Sequence, residues 1–222
     1  MATYEDDGTW LWMSFVPEHK LILAQAIGER KQYMADQIIA TTKERLNSSC
    51  IPLFVSDGLH QYTKALLKYY GYLKTYELTG KRGRPRSPEQ VPLPGLNYAQ
   101  VVKHRKGGKV IKVERKFIYG TSNDSKQIST SLIERQNLTL RQDNNRLSRK
   151  TIGFSKKIMG LKQQATLYSG YFNYCRKHRS LFSRDELGRK RFNTPMKSIG
   201  ITDHVWSLNE LLTYSYHIIS TN

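Results

Sequence analysis

The sequence predicts an α/β domain, because segments typical of strands and segments typical of helices alternate along the chain. Short apolar runs rich in aromatic and β-branched residues alternate with longer segments whose apolar residues recur at helical spacing. At 222 residues, the chain is long enough for one domain with an appendage or for two small domains. Its two cysteines, Cys50 and Cys175, form neither a metal-ligand pair nor a disulfide framework.

The first part of the chain is predicted to form a hairpin, a helix, a strand and a second helix. Trp10–Val16 and Leu21–Ile27 are apolar runs separated by a polar turn, which is typical of a β-hairpin. Helical spacing follows over residues 32–46, and Ile51–Val55 has the length and composition of a buried strand. The apolar residues of Leu59–Tyr72 favour a second helix.

The second part begins with a loop that is rich in glycine, proline and arginine. Two strand-like segments follow, Tyr98–Val102 and Val110–Ile118, and Gly107-Gly108 between them predicts a hairpin turn. A helix is expected to begin near Leu132, and another covers about residues 155–177. The predicted divisions are 1–78, the first part of the core; 79–97, a basic linker; 98–126, a basic β-hairpin; 127–182, helices of the core; and 183–222, a C-terminal tail.

Positive charge is concentrated in the second part of the chain. The formal net charge is +18, from 36 Lys and Arg against 18 Asp and Glu. Residues 1–80 hold 8 basic and 9 acidic side chains, whereas residues 81–222 hold 28 and 9. A basic excess confined to one part of a chain indicates a polyanionic partner, above all nucleic acid. A merely soluble basic surface would have the same composition.

Two acidic residues stand out by their positions. Asp57 ends a predicted strand, so its carboxylate is expected at the carboxyl edge of the sheet, where sites of α/β proteins form. Glu134 lies one turn into a predicted helix, with Asn137 and Arg141 further along the same face. Carboxylates bind Mg²⁺, and paired Mg²⁺ ions support phosphodiester transfer. By spacing alone, an Asp-Gly turn and a surface ion pair are the commoner explanations.

Three segments resemble motifs of the DDE transposases. Ser56–Tyr62 (SDGLHQY) resembles the motif of their second catalytic carboxylate, and Ser131–Arg141 (SLIERQNLTLR) resembles the helix of the third. Asn173–Leu181 (NYCRKHRSL) resembles the tail motif of many insertion-sequence transposases and integrases. The nearest family is the one named after insertion sequence one, and the resemblance covers about residues 10–212.

The resemblance implies an RNase H-like core, a mixed β-sheet flanked by helices, that cleaves transposon ends and joins their 3′-hydroxyls to target DNA. It implies that Asp57 and Glu134 are catalytic residues and ligands of Mg²⁺ or Mn²⁺ in a two-metal site. It further implies that Arg141 and Asn137 contact DNA. The expected partners are transposon ends, target DNA and other copies of the transposase in a homo-oligomer. The expected location is the cytoplasm of a prokaryotic cell, in association with the nucleoid.

The resemblance also places a first catalytic aspartate in a strand upstream of Trp10. The available acids, Glu5, Asp6 and Asp7, stand too close to Trp10 to form that strand and a turn. We therefore expect a transposase chain that is truncated at its N-terminus and lacks the first strand of the sheet. Because unpaired strand edges invite misfolding, such a chain is expected to be poorly stable and catalytically weak or inactive.

Further basic residues are candidates for DNA contacts. Residues 81–86 (KRGRPR) contain a short resemblance to an AT-hook, which places arginines in the minor groove of A·T-rich DNA. A solvated linker explains the same residues. In the predicted hairpin over residues 98–118, bases alternate with apolar residues and offer one basic face to DNA or to solvent. The candidates from both segments are Arg82, Arg84, Arg86, Lys103 and Arg105.

Two other functions remain compatible with these patterns. A catalytically inactive DNA-binding remnant of a transposase would keep the basic part of the chain, and an RNase H-like nuclease or resolvase would use similar carboxylates. The tail motif in Asn173–Leu181 favours a transposase over a nuclease. A membrane is not among the expected partners, because no apolar run approaches the ~18 residues that a membrane span needs.

Overall fold

The chain folds as two units. The structure is a computed structural model, and it describes residues 8–77, 86–121, 128–147, 152–153 and 155–214. The first unit comprises Met1–Ser14 and Ala26–Leu138, and the second comprises Phe15–Gln25 and Thr139–Asn222.

Strands and helices alternate along the chain, so the α/β composition is as predicted. The strands are β1 (Trp10–Val16), β2 (Leu21–Gly28), β3 (Leu53–Asp57), β4 (Gly71–Lys74), β5 (Glu89–Pro92), β6 (Asn97–Lys106), β7 (Lys109–Tyr119), β8 (His178–Arg184) and β9 (Lys190–Asn193). The helices are α1 (Gln32–Glu44), α2 (His60–Tyr69), α3 (Ser131–Asp143), α4 (Ile158–Gly170), α5 (Pro195–Ser198) and α6 (Leu208–Thr213). A 3₁₀ turn covers Asn145–Leu147, and a π-helical turn covers Tyr171–Cys175. Within the described ranges, no helix combines the length and apolar character needed to cross a bilayer.

The first unit is built around a mixed three-stranded sheet in the order β3-β6-β7. β3 runs parallel to β6, with Val55 opposite Ala99 and Asp57 opposite Val101. β7 runs antiparallel to β6. The predicted mixed sheet is therefore present, while β1 and β2 pair with each other as a separate two-stranded hairpin.

Polar contacts tie one face of this sheet to α2. The hydroxyls of Ser56 and Tyr98 lie 2.7 Å apart, and the side-chain amide of Gln100 donates to the Tyr98 oxygen at 2.8 Å. The Gln100 amide is also 3.4 Å from the hydroxyl of Thr63 in α2. Because Tyr98 and Gln100 are both buried, these hydrogen bonds satisfy groups that would otherwise be costly to remove from water.

Apolar side chains cover the opposite face of the sheet. Ile128, which precedes α3, is buried against residues of all three strands. The guanidinium of Arg115 in β7 donates to the carbonyl of Ile128 at 3.0 Å and fixes this segment on the sheet. The apolar residues in this cluster are Val55, Ala99, Val101, Phe117 and Ile128.

β6 and β7 form the long hairpin that the sequence predicts. Gly107 and Gly108 occupy its turn with φ values of 56° and 79°, a region that glycine reaches without a Cβ clash. The side chains from His104 to Lys116 are exposed. The outer part of the hairpin therefore projects into solvent beyond the paired length of β3.

Two predicted elements are wrong around residue 71. The helix predicted over Leu59–Tyr72 ends at Tyr69, and β4 then pairs antiparallel with β5. A Cβ on Gly71 would collide with the carbonyl oxygen of Leu67, so glycine permits this exit from α2. β5 lies within residues 79–97, which were expected to be a linker throughout.

The buried Asn173 joins two distant segments of the second unit. Its side-chain oxygen accepts the backbone N–H of Ile22 at 3.1 Å, and its amide donates to the Ile22 carbonyl at 2.9 Å. Asn173 lies in the π-helical turn that continues α4. The first residue of the predicted tail motif therefore has a structural role in this unit.

Replacement of Asn173 by alanine is expected to lower the free energy of unfolding by about 2 kcal/mol, because the buried N–H and C=O of Ile22 lose their partners. Urea unfolding followed by circular dichroism measures the change. Asn209→Ala, at an exposed position in α6, is the matched control and is expected to change stability by less than about 0.5 kcal/mol. Equal urea concentrations at the unfolding midpoints of Asn173→Ala and Asn209→Ala would contradict the structural role of Asn173.

β8 and β9 form an antiparallel hairpin in the second unit. The helix predicted over about residues 155–177 corresponds to α4 and the π-helical turn after it, and β8 begins at His178, within the predicted division 127–182. β9, α5 and α6 then give regular structure to part of the predicted C-terminal tail.

Candidate active site

Asp57 is the last residue of β3, and its side chain is exposed. Its Oδ1 accepts the backbone N–H of Leu59 at 3.2 Å, so the carboxylate stabilises the turn that leads into α2. The carboxylate can accept further bonds, because each of its oxygens has more than one lone pair. Asp57 thus stands at the carboxyl end of a parallel strand.

The strand register assigns Asp57 to the sheet face that carries Ile128. Val55 packs on that face, and side chains two residues apart on a strand point the same way. Val101, the partner of Asp57 on β6, also packs there. Lys103 follows two residues later on β6, about 7 Å further along the strand, and shares this face.

Glu134 lies in the first turn of α3 and is held by two side chains. The Lys103 ammonium contacts both of its carboxylate oxygens, at 2.6 and 2.5 Å. The hydroxyl of Thr130 donates to Oε1 at 2.6 Å. Because Lys103 extends from the face to which Asp57 belongs, the register brings both predicted catalytic carboxylates to one face of the sheet.

The carboxyl group of Glu134 is ionised at neutral pH. Partial burial favours its protonated form, but the hydrogen bonds from Lys103 and Thr130 outweigh this effect. The positive charges of Lys103 and Arg105 act in the same direction, and the pKa of Glu134 is lowered from its usual value. The side chain is half exposed, at 50%, so the carboxylate is both charged and accessible to solvent.

Lys103 was predicted as a DNA-binding residue, which stays a prediction, and the structure places its ammonium on the Glu134 carboxylate. Its side chain is 29% exposed. The two residues are 31 positions apart in the sequence, and no local pattern connects them. Two features bring Lys103 and Glu134 together: the register of β6, and the packing of Ile128 on the sheet, which positions the start of α3.

Tyr62 is a further residue near Asp57 to which the sequence assigned no role. Burial raises the pKa of its phenol, and the negative charge of Asp57 raises it further. Its ring packs edge-on against Trp12, with the centroids 5.5 Å apart. The phenol therefore stays neutral beside the Asp57 carboxylate and remains a hydrogen-bond donor.

Asn137 and Arg141 follow Glu134 along α3. The helix is continuous from Ser131 to Asp143, so residues at these spacings lie on one helix face. Both side chains are partly exposed. Their predicted contacts with DNA stay predictions.

The remaining candidates for DNA contacts have different surroundings. Arg86 pairs with Glu89 at 3.2 Å, and its guanidinium lies 3.9 Å from the ring centroid of Tyr76. Arg105 donates to the carbonyl of Gly108 at 3.3 Å, within the turn of its own hairpin. Arg82 and Arg84 lie outside the described residues.

The β6–β7 hairpin does not present the single basic face that was predicted. Lys103 and Arg115 belong to the face that carries Ile128, as their pairing and contacts show. Lys112 lies opposite His104, and Lys116 lies opposite Gln100, whose side chain contacts α2. Both lysines therefore point to the other face of the sheet. The positive charges are therefore divided between the two faces.

The chemistry of Asp57 and Glu134 suits a hard divalent cation. Mg²⁺ is bound in proteins through one or two carboxylates, with water and phosphate oxygens completing its coordination. Within the described ranges, no group of three or more His, Cys, Asp or Glu side chains is placed to hold a metal ion. The acids considered for a third ligand, Glu5, Asp6 and Asp7, lie outside those ranges.

Comparison with known proteins gives one match. Residues 112–172 match the family model described as IS1 transposase. The matched segment begins in β7, includes Glu134, Asn137 and Arg141, and ends in the π-helical turn after α4. No curated protein and no solved structure matches the chain. The match over residues 112–172 confirms the resemblance to an insertion-sequence transposase.

Proposed function

We propose that the chain is a DDE-type transposase, which cleaves transposon DNA and joins its 3′-hydroxyl ends to target DNA with the help of divalent metal. The observation that carries this proposal is the position of Glu134. Its carboxylate lies within the family match, and Lys103 holds it over the sheet face to which Asp57 belongs.

The architecture of the first unit supports an RNase H-like core. A parallel strand pair, β3 and β6, continues into an antiparallel strand, β7. α2 contacts one face of this sheet, and Ile128 with the start of α3 covers the other. Asp57 ends β3, and the carboxyl ends of parallel strands are where α/β proteins form their binding and catalytic sites.

Asp57 and Glu134 would hold Mg²⁺ or Mn²⁺, which supplies activation of the attacking oxygen and stabilisation of charge on the leaving oxygen. Thr130 donates to one oxygen of Glu134 and orients the carboxylate. Lys103 competes for the same two oxygens, because an ammonium and a divalent cation both bind there through charge. Displaced from Glu134, Lys103 would remain beside the site as a cation for DNA phosphate.

Binding of DNA is the part of this function that the charge distribution favours most directly. Lysine and arginine side chains that contact phosphates release counterions and give affinity that falls with salt. We include Arg141 and Asn137 among these contacts, since they continue the helix face of Glu134. Because joining requires transposon and target DNA to be held together, we extend the proposal to a homo-oligomer in the cytoplasm of a prokaryotic cell.

A catalytically inactive DNA-binding remnant is the second candidate. The observation that favours it is the charge distribution: residues 81–222 hold 28 basic and 9 acidic side chains, and binding of DNA through charge needs no third carboxylate. A remnant of this kind would keep the basic surface without the chemistry.

The test is a joining assay with a labelled DNA end and a plasmid target, run in Mg²⁺, in Mn²⁺ and in EDTA. DNA binding is measured in parallel by fluorescence anisotropy at increasing salt. We expect slow joining that requires the metal and binding that weakens as salt rises.

The outcomes separate the two candidates. Joining in Mn²⁺ or Mg²⁺ but not in EDTA supports the transposase. Salt-sensitive DNA binding without any joining overturns it in favour of the remnant. A chain that folds but binds no DNA at any salt concentration overturns both.

A further inference from the structure

The β8–β9 hairpin of the second unit exposes two phenylalanine side chains next to each other. Phe182 lies directly opposite Phe192 in the strand register. The side chains are 44% and 41% exposed. Directly opposed residues of antiparallel strands carry their side chains on the same face, with Cβ atoms roughly 5 Å apart. The two rings therefore lie on the same solvent-facing side of the hairpin.

Two cations stand beside these rings. Arg184 lies opposite Lys190, and each is two residues from a phenylalanine on its strand, so all four side chains share a face. The Lys190 ammonium lies 4.6 Å from the ring centroid of Phe182. The Arg184 guanidinium donates to the carbonyl of Gly188 at 2.8 Å, which holds it close to the turn. We call this set of four residues the aromatic–basic face.

The charge of the hairpin is complementary to a polyanion. Residues 178–193 contain five arginines and lysines and two acids. One of the acids, Asp185, is paired with Arg191 at 3.0 Å. A protein partner with an apolar patch would be repelled by this charge unless it were acidic, whereas a nucleic acid supplies planar apolar rings and negative charge together.

We propose that the aromatic–basic face binds single-stranded DNA. Lys190, whose ammonium lies over the Phe182 ring in the free chain, turns to a neighbouring phosphate, as Arg184 does, and unpaired bases stack on Phe182 and Phe192. Every base has a π-face, so stacking of this kind tolerates any sequence. An intact duplex keeps its bases stacked on one another and offers the phenylalanines only its ends. The inference rests on the proposal that the chain acts on DNA, and it specifies the form of DNA that the second unit holds.

A purely structural role for the two rings makes a different prediction. Cross-strand aromatic pairs stabilise hairpins by packing, and leucines in their place would keep most of that apolar contact. Stacking on bases requires a flat π-face, which leucine lacks. The double variant Phe182→Leu/Phe192→Leu therefore separates base stacking from hairpin packing.

The experiment measures binding of the full chain to labelled oligothymidine and to a duplex of equal length, in EDTA, by fluorescence anisotropy. Phe182→Leu/Phe192→Leu is expected to weaken binding to the single strand by about tenfold or more and to leave duplex binding little changed. Arg184→Gln/Lys190→Gln is expected to reduce the slope of log affinity against log salt by roughly 1.4, since each lost phosphate contact on a single strand contributes about 0.7.

Leu187→Ala is the matched control, because Leu187 lies in the same hairpin at 72% exposure and outside the aromatic–basic face. Circular dichroism melts establish that all variants fold as the parent chain does. The proposal is overturned if the double leucine variant binds oligothymidine as tightly as Leu187→Ala does. It is also overturned if that variant keeps its affinity for oligothymidine but no longer self-associates in a sedimentation experiment. That result would make the aromatic–basic face an interface between copies of the chain. Because EDTA suppresses the chemistry, failure of metal-dependent joining leaves this result untouched and would count against the transposase alone.

Discussion

Asp57→Asn and Glu134→Gln are each expected to reduce joining of DNA ends roughly a thousandfold or more, because metal-assisted charge stabilisation supplies several kcal/mol to the transition state. Each substitution keeps the shape of the side chain and removes its charge. DNA binding is expected to persist, since most of the basic residues are untouched. The measurement is the rate of joining at saturating DNA, beside anisotropy for binding.

Glu114→Gln is the matched control for these variants. Glu114 is an exposed carboxylate on β7 that pairs with Val102, and so it points away from the face of Lys103 and Glu134. Its carboxylate contacts His104 at 3.1 Å. We expect this variant to join DNA at the parental rate. If Asp57→Asn or Glu134→Gln performed as well as Glu114→Gln, the assignment of that carboxylate to the active site would be wrong.

The parts of the site that could be predicted from sequence depend on local patterns. Asp57 was expected at a strand end, because an apolar run stops at Ser56-Asp57-Gly58, and β3 ends there. The turn of the β6–β7 hairpin could also be predicted from a local pattern, since Gly107 and Gly108 are residues that such a turn favours. In both cases, short-range stereochemistry determines the structure.

The immediate partners of Glu134 could not be predicted, because they depend on long-range docking. Lys103 belongs to a run of bases in which any member could have faced DNA, and the register of β6 selects it for the ion pair. Thr130 precedes α3, and its hydroxyl donates to the Glu134 carboxylate, a contact that the sequence pattern does not indicate. A single sequence contains no information on which strand residue a later helix will meet.

The tail motif shows a second limit of sequence reasoning. Asn173 binds the backbone of Ile22, and Arg176 forms an ion pair with Asp143 in the same unit. The Arg176 guanidinium also lies 5.9 Å from the ring centroid of Phe172. These polar residues resemble a functional motif, but the contacts that explain them are internal to the second unit. Polar residue types alone do not distinguish a fold-stabilising contact from a ligand contact.

His178, another residue of the tail motif, makes the stability of the second unit depend on pH. Its ring lies 4.6 Å from the ring of the buried Phe172. Within the described part of the chain, its Nε2 is buried without a hydrogen-bond partner. Burial lowers the pKa of His178 to about 4, and the positive charges of Lys20 and Arg176 act in the same direction. The imidazole is therefore neutral in the folded protein at pH 7.

The unfolded chain binds a proton at His178 near pH 6.5, whereas the folded chain does so only near pH 4. Between these values, the unfolded state holds more protons, so the free energy of unfolding falls as pH falls. The stabilisation is fully present above pH 6.5, and its loss as the pH falls through 4 amounts to at most about 3 kcal/mol, because solvent screens part of the effect on this partly buried ring. Between pH 7.5 and pH 5, the parent chain is expected to lose about 2 kcal/mol more than His178→Phe, which cannot titrate.

Urea unfolding at the two pH values measures this difference, and His204→Gln supplies a control of opposite sign. His204 is exposed between Asp203 and Glu210, and hydrogen bonds to these carboxylates raise its pKa. Its contribution to stability is therefore present at low pH and lost as pH rises, so its removal should enlarge the loss at pH 5. Asp203 titrates differently in His204→Gln, because the hydrogen bond with His204 lowers the pKa of Asp203 in the parent chain. The contribution of His178 is therefore read from the difference between the parent chain and His178→Phe. If the parent chain and His178→Phe showed the same pH dependence, the neutral imidazole of His178 would not be a source of acid sensitivity.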